Sequence, residues 1–361
     1  MKVAFVMPGV GIFRRGSEAF VVELCAGLAA RHGFDVMLYC RGPAPVPHRR
    51  IRALPRDTRW VNATYAATRF GRKVFDTLFL DPLSLEWYTA ALSAFPALWR
   101  GGYDAVVMEG GLVGAWCCRL LRAVRGVPFV DVAHGQDPKW EGAFARQKPD
   151  RVVAFTVAGR RMILGQAPRA RVAVVPLGVD LERFHPGVPP VPLDLPRPIV
   201  LCVGAVDSHK RMDLAVEATA RAGASLVILG TGPEEAAVDR LAAVRLPGRY
   251  LRRTVPREEM PGWYTAADCL TLPSRTESFG LTYVEALACG RPAVAPDDEV
   301  RRAVIGEGGL CCDVTDPEAY AGALTAALSR TWGNLPRQSA ERFPATATID
   351  AWAALLQEIA A

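Results

Sequence analysis

Short apolar runs alternate with stretches of helical periodicity along most of the chain. Residues 3–7 form an apolar run. Residues 17–31 follow, with Phe20, Leu24 and Leu28 spaced by four, the stripe of an amphipathic helix. Further strand-like runs come at 36–40, 105–108, 127–132, 152–155 and 172–175. Strands separated by helices in this way predict βαβ units, and hence a parallel sheet.

Near residue 186 the pattern breaks. Residues 185–198 hold six prolines in fourteen positions. Proline lacks an amide proton and fixes φ, so this stretch is neither helix nor central strand and reads as a stiff linker. A second series then starts, with strand-like runs at 199–203, 226–229 and 269–272 and helical patterns at 213–221 and after Pro233. The end of the chain, 346–361, is an alanine-rich helical stretch carrying Trp352, Leu355 and Leu356. The expected organisation is α/β: two doubly wound, Rossmann-like domains, 1–188 and 199–344, joined by the linker 189–198.

A chain of 361 residues has room for two domains, and with half its residues apolar and 22% charged it is globular. No apolar run is long enough to span a membrane, and the first residues lack the long apolar stretch and cleavage site of a signal peptide. The nine cysteines are odd in number and show no C-x-x-C spacing, so they are expected to be reduced in a cytoplasmic protein, with no metal site. The net charge of +6 hides an asymmetry: 26 Lys+Arg against 15 Asp+Glu over 1–188, and 17 against 22 beyond. Residues 41–73 alone carry nine basic groups, among them Arg41, Arg56, Arg69, Arg72 and Lys73, against Asp57. Such a segment attracts an anionic acceptor or membrane. No nucleic-acid module accompanies it, so nucleic acid is not expected as a partner. Aromatics in and after it (Trp60, Tyr65, Phe70, Phe75, Trp87, Tyr88) suit stacking on a sugar or ring, or core packing.

Candidate chemistry sits in the loops after strand-like runs. Pro8 to Glu18 is glycine-rich and opens a helix at Gly16 and Ser17, a setting that cradles phosphate. It is not G-x-G-x-x-G, and the second strand ends at Cys40-Arg41 with no acid for a ribose, which argues against a dehydrogenase. His134 follows a strand in Asp131-Val132-Ala133-His134-Gly135. Lys210 and Arg211 close the loop that begins at Gly204. Gly230-Thr231-Gly232-Pro233 and Arg253-Thr254-Val255 follow other strands. Most informative is Ser274-Arg275-Thr276-Glu277-Ser278-Phe279-Gly280-Leu281 and its continuation through Glu285 to Pro292. A strand ends at 273 and a helix runs from Leu281 to Cys289, so the loop between them offers free backbone N–H groups and a carboxylate for sugar hydroxyls.

Glu277 and Glu285, eight apart with Phe279-Gly280-Leu281 between them, resemble the E-x7-E segment of the family 4 retaining glycosyltransferases (glycosyl transferases group 1, GT-B fold). The 204–211 loop is similar to the family's G-R-L-x-x-x-K-G, with Ala205 in place of an arginine, and the first loop to its P-x-x-G-G-x-E, with Ser17 for the second glycine. The resemblance implies two domains facing each other across a cleft, with residues 345–361 returning to the first. It implies that Gly16 and Ser17 lie by the donor diphosphate and that Lys210 and Arg211 neutralise it. It also implies that Gly230, Thr254 and Val255 contact nucleotide and base, and that Arg253 stands where glycine is usual. Glu277 and the backbone of Phe279, Gly280 and Leu281 would hold sugar and phosphate, Glu285 the ribose, and His134 would lie by the reaction centre.

Catalytic roles thus fall to Glu277, His134 and Lys210, with no cofactor beyond a UDP- or GDP-sugar donor and no metal. The activity implied is hexosyl transfer with retention to a hydroxyl of a lipid, glycan or small molecule. It would take place in the cytoplasm, with peripheral contact at an anionic membrane through 41–73. Two other readings of these residues stay open: a nucleotide-sugar epimerase of the same architecture, and a non-catalytic nucleotide-sugar binding protein.

Overall fold

A computed structural model describes residues 1–13, 16–66, 76, 80–109, 111–135 and 137–361. Arg69, Phe70, Arg72, Lys73 and Phe75, named above, lie outside the described residues. Contacts divide the chain into two units, Met1–Val175 with Ile349–Ala361, and Pro176–Thr348.

The first unit runs β1 (Lys2–Val6), α1 (Gly16–His32), β2 (Asp35–Cys40), β3 (His48–Arg50), α2 (Arg59–Ala66), α3 (Pro82–Arg100), β4 (Ala105–Met108), α4 (Gly111–Arg125), β5 (Phe129–Val132), α5 (Pro138–Ala145), β6 (Arg151–Ala154), α6 (Val157–Gln166) and β7 (Val172–Val174). Its strands form one parallel sheet in the order β3-β2-β1-β4-β5-β6-β7. Strands such as β4, Ala-Val-Val-Met, are buried at every position, as a sheet covered on both faces requires. The order reverses between β1 and β4, which pair with Val6 opposite Met108. At such a switch point the loops leaving the two strands diverge and open a crevice beyond their carboxyl ends. Helix α3 begins where Asp81 accepts hydrogen bonds from the Leu83 and Ser84 amides with Pro82 in the first turn, a strong N-terminal signal.

The second unit contains β8 (Ile199–Val203), α7 (Met212–Arg221), β9 (Ser225–Leu229), α8 (Glu235–Arg245), β10 (Tyr250–Arg253), α9 (Met260–Ala266), β11 (Cys269–Thr271), α10 (Leu281–Ala288), β12 (Ala293–Pro296), α11 (Glu299–Ile305), β13 (Gly309–Cys312), α12 (Pro317–Ser329) and α13 (Leu335–Ala340). Its parallel sheet is ordered β10-β9-β8-β11-β12-β13, with the switch point between β8 and β11, Leu201 opposite Leu270. The proline-rich stretch lies along this unit: the Val191 amide donates to Gly262 O at 3.1 Å, and Phe184 meets Tyr264 edge-on at 6.0 Å.

Helix α14 (Ala345–Ala360) ends the chain, and from Ile349 onward it belongs to the first unit. Trp352 is fully buried there, 6.4 Å from Phe5 of β1, and Asp350 pairs with Arg31 of α1 at 3.0 Å. The nine cysteines are unpaired, and seven are buried.

Candidate functional site

In the second unit, two loops leave the strands flanking the switch point and are tied together. Asp207 accepts from the amides of His209 and Lys210, folding residues 207–210 into a tight turn. The Arg275 amide donates to His209 O at 2.9 Å, which binds this turn to the loop after β11. Lys210 Nζ then reaches Glu277 Oε1 at 2.6 Å, with 21% and 13% of the two side chains exposed. Burial alone would raise the Glu277 carboxyl. The Lys210 ammonium, the Ser274 hydroxyl and the Arg301 guanidinium more than offset it and hold the group below its ordinary value. Glu277 is therefore an ionised carboxylate at neutral pH.

Arg301 was not flagged by the sequence. It is 1% exposed on α11, donates to both the carbonyl and hydroxyl oxygens of Ser274 at 2.7 and 2.8 Å, and pairs with Asp298. Arg211 begins α7 with a left-handed backbone (φ 51°), and its Nε donates to Pro273 O at 2.7 Å. Burial and the neighbouring Arg275 and Arg301 lower its pKa. Two guanidinium groups from outside, Arg211 and Arg301, thus brace the backbone of the 273–277 loop, which carries a third in Arg275.

Gly280 precedes α10 at φ +92°, a conformation that only glycine adopts without strain. It turns the chain so that Leu281 and the first amides of α10 follow the Glu277 loop directly. Phe279 is buried against Phe343 at 5.2 Å, so its ring is taken up by packing. Glu285, one turn further, is 2% exposed; Arg257 Nη1 meets its Oε1 at 2.7 Å and the Tyr264 hydroxyl donates to its Oε2 at 2.6 Å. Ribose hydroxyls would have to use the remaining lone pairs of this carboxylate.

Gly230 is explained by the backbone: a Cβ there would stand 1.8 Å from Gly204 O. Thr254 is exposed and Val255 half-buried at the end of β10.

In the first unit, the loops after β1, β4 and β5 meet at the carboxyl end of the sheet. His134 Nε2 contacts Glu109 Oε1, and its ring lies edge-on to Phe155 at 5.2 Å. Burial opposes charge on the imidazole, but Glu109, Glu141 and Glu18 outweigh it and the histidine titrates above its ordinary value. Glu141, 6% exposed, accepts the Gly135 amide at 2.8 Å, and burial pushes it up to about 7. Asp131, half-buried near Glu141 and Glu109, is raised well above the carboxylate range by desolvation first and by those two acids. Gly16 is exposed at the start of α1, with nothing within 4 Å of where a Cβ would be. The Ser17 hydroxyl donates to the buried Glu18 at 2.8 Å.

Among the described residues of segment 41–73, two of the basic groups are not free. Arg41 and Arg56 both pair with Glu86, a fully buried carboxylate on α3.

Residues 14–183 match the family described as "Glycosyltransferase Family 4", and residues 197–330 match "Glycosyl transferases group 1". A D-inositol 3-phosphate glycosyltransferase of Frankia alni is 32% identical, covering 89% of this chain and 87% of the relative. The protein of that name from Mycolicibacterium smegmatis is 30% identical over 75% and 71%. Among solved structures, the sucrose-phosphate synthase of Thermosynechococcus elongatus superposes with a TM-score of 0.78 at 21% identity, covering 99% and 98%. HepE of Anabaena, in complex with UDP and glucose, does so at 0.75 and 15% identity, covering 99% and 100%. These likenesses show the GT-B fold, and the relatives favour neither epimerisation nor mere binding. Transfer in this family is retaining and independent of metal. Matched across both halves, and over nearly its whole length by a relative that is itself a glycosyl transferase, the chain belongs to glycosyltransferase family 4.

Proposed function

We propose that this enzyme moves a hexose from a nucleotide-diphospho-sugar, a UDP-sugar before a GDP-sugar, to a hydroxyl of a small phosphorylated polyol. The carrying observation is the Lys210–Glu277 pair at the strand ends of the second unit. In the resting enzyme each group neutralises the other. An incoming diphosphate competes for Lys210, and the carboxylate of Glu277 is released to accept hydrogen bonds from sugar hydroxyls. As the bond from the anomeric carbon to the diphosphate oxygen breaks, charge grows on that oxygen, where Lys210 and the α10 amides stabilise it. The acceptor hydroxyl attacks on the face the diphosphate leaves and gives its proton to a phosphate oxygen.

Gly16 and Ser17 approach the diphosphate, Thr254 and Val255 the base, and His134 the sugar beside the reacting carbon. UDP is preferred because a neighbour of this fold was solved with UDP and glucose. The phosphorylated acceptor is supported by the name borne by the relatives and by the basic surplus of residues 1–188.

Thermal shift against UDP, GDP, ADP and TDP comes first, since a ligand of the native state raises the melting temperature by mass action. UDP release from a panel of UDP-sugars with inositol 3-phosphate, and with inositol, then tests the acceptor, with and without EDTA. A UDP-selective shift and EDTA-resistant transfer to the phosphorylated acceptor are expected. No shift with any nucleotide would overturn the donor assignment, and equal use of both acceptors would overturn the phosphate requirement.

A further inference from the structure

Helix α4 is apolar on two faces. Gly114, Ala115, Cys117, Cys118 and Leu121 turn inward, and Ala115, Cys118 and Leu121 share a core with Ala90, Ala91 and Ala94 of α3. On the outer side Trp116, Leu120 and Val124 are 56%, 49% and 58% exposed. Their spacing of four sets them one above the other along two turns. Single exposed apolar residues call for no explanation, but a contiguous stripe marks a contact surface.

The rim of this stripe is cationic. The helix carries Arg119, Arg122 and Arg125 and no acid. The neighbouring turn adds exposed Arg146 and Lys148. It is fastened to the stripe through Gln147, whose Oε1 accepts from Trp116 Nε1 at 3.1 Å and from Arg119 at 3.3 Å. The carboxylate of Asp150 at this edge is taken by Arg122 at 3.1 Å.

Charge selects the occupant. A second copy placed across a two-fold axis would bring this basic rim against itself. A bilayer with anionic headgroups receives tryptophan and aliphatic side chains at the acyl boundary and pairs arginines with its phosphates. We propose that the outer face of α4 docks the enzyme on an anionic lipid surface. This face is built from other residues than 41–73, where charge alone pointed.

The test is co-sedimentation of the full chain with vesicles of phosphatidylcholine, alone and mixed with phosphatidylglycerol. Binding to the mixed vesicles only is expected. It should fall by roughly tenfold in the triple variant Trp116→Ser, Leu120→Ser, Val124→Ser, and again in Arg119→Glu, which leaves the stripe intact. Arg49→Glu with Arg50→Glu should leave binding unchanged. Wild type that ignores anionic vesicles at low salt would overturn the proposal. So would binding that survives both α4 variants, or a concentration-dependent dimer that the triple variant abolishes, which would give the face to a second copy.

Discussion

Lys210 Nζ lies 2.6 Å from Glu277 Oε1, at the meeting of two loops that leave adjacent parallel strands. Because the pair is largely withdrawn from water, removing one member leaves the other with an uncompensated charge. This gives Glu277→Gln an unusual expected signature. The neutral amide frees Lys210 for diphosphate, so UDP should bind at least as tightly as in wild type. Turnover should drop, with kcat/KM down more than about tenfold, a loss beyond about 1.4 kcal/mol of transition-state stabilisation. Lys210→Ala should weaken both. Titration calorimetry with UDP beside initial rates checks this; weaker UDP binding by Glu277→Gln would contradict the competition.

Glu285 serves the structure whatever it does for a ligand. Its two oxygens answer Arg257 and the buried Tyr264 hydroxyl. Glu285→Gln replaces an ionic acceptor by an amide that cannot satisfy both donors equally. The apo enzyme should lose about 1–3 kcal/mol and melt several degrees lower. An unchanged melting temperature would show that these bonds carry no stability and that Glu285 is kept for ribose alone.

Two of the glycines assigned to the donor predict opposite behaviour. Gly230→Ala would force a Cβ to 1.8 Å from Gly204 O, where two strand ends approach, and should severely destabilise the second unit. Gly16→Ala meets open space, so its stability should stay within about 0.5 kcal/mol of wild type. If diphosphate passes over Gly16, the added methyl should raise the donor KM severalfold without altering the melt. A donor KM equal to wild type would remove Gly16 from the site.

What the sequence revealed was what is local. The loop from Ser274 to Leu281 is one strand–turn–helix unit, so Glu277, Gly280 and the helix start could be placed from their order alone. Alternating strands and helices likewise exposed both parallel sheets, because buried parallel strands are continuous apolar runs. Residues brought in by pairing were not legible. Glu109 meets His134 because β4 pairs with β5, Val106 opposite Phe129, across 25 positions of sequence. Its one signal was its place directly after an apolar strand, at the end where ligands bind. Arg301 and Arg257 had no such mark. The charge count over 41–73 could not see its partners for the converse reason: Glu86, far along the chain, absorbs Arg41 and Arg56.

The acids around His134 make the first unit sensitive to pH in a direction opposite to most carboxylates. Glu141 is raised by burial from 4.5 to about 7, so between those values the folded state binds a proton that the unfolded state has released. Stability from this group is complete below about 4.5 and falls as pH climbs to about 7, after which it is level. His134, also raised, adds stability below its unfolded value that is lost as pH passes its folded one. Both effects have the same sign. Glu141→Gln keeps an oxygen for the Gly135 amide and cannot ionise, so the variant should gain on wild type as pH rises from 5 to 7. The gain should be of order 1–3 kcal/mol. Glu277, whose carboxyl is lowered, contributes the opposite slope, and it does so equally in both proteins. The difference between two urea-unfolding series run at stepped pH therefore reports Glu141 together with its share of the His134 shift, which has the same sign. Parallel curves would show that this carboxylate titrates normally, and that His134 is not held in a proton-rich site.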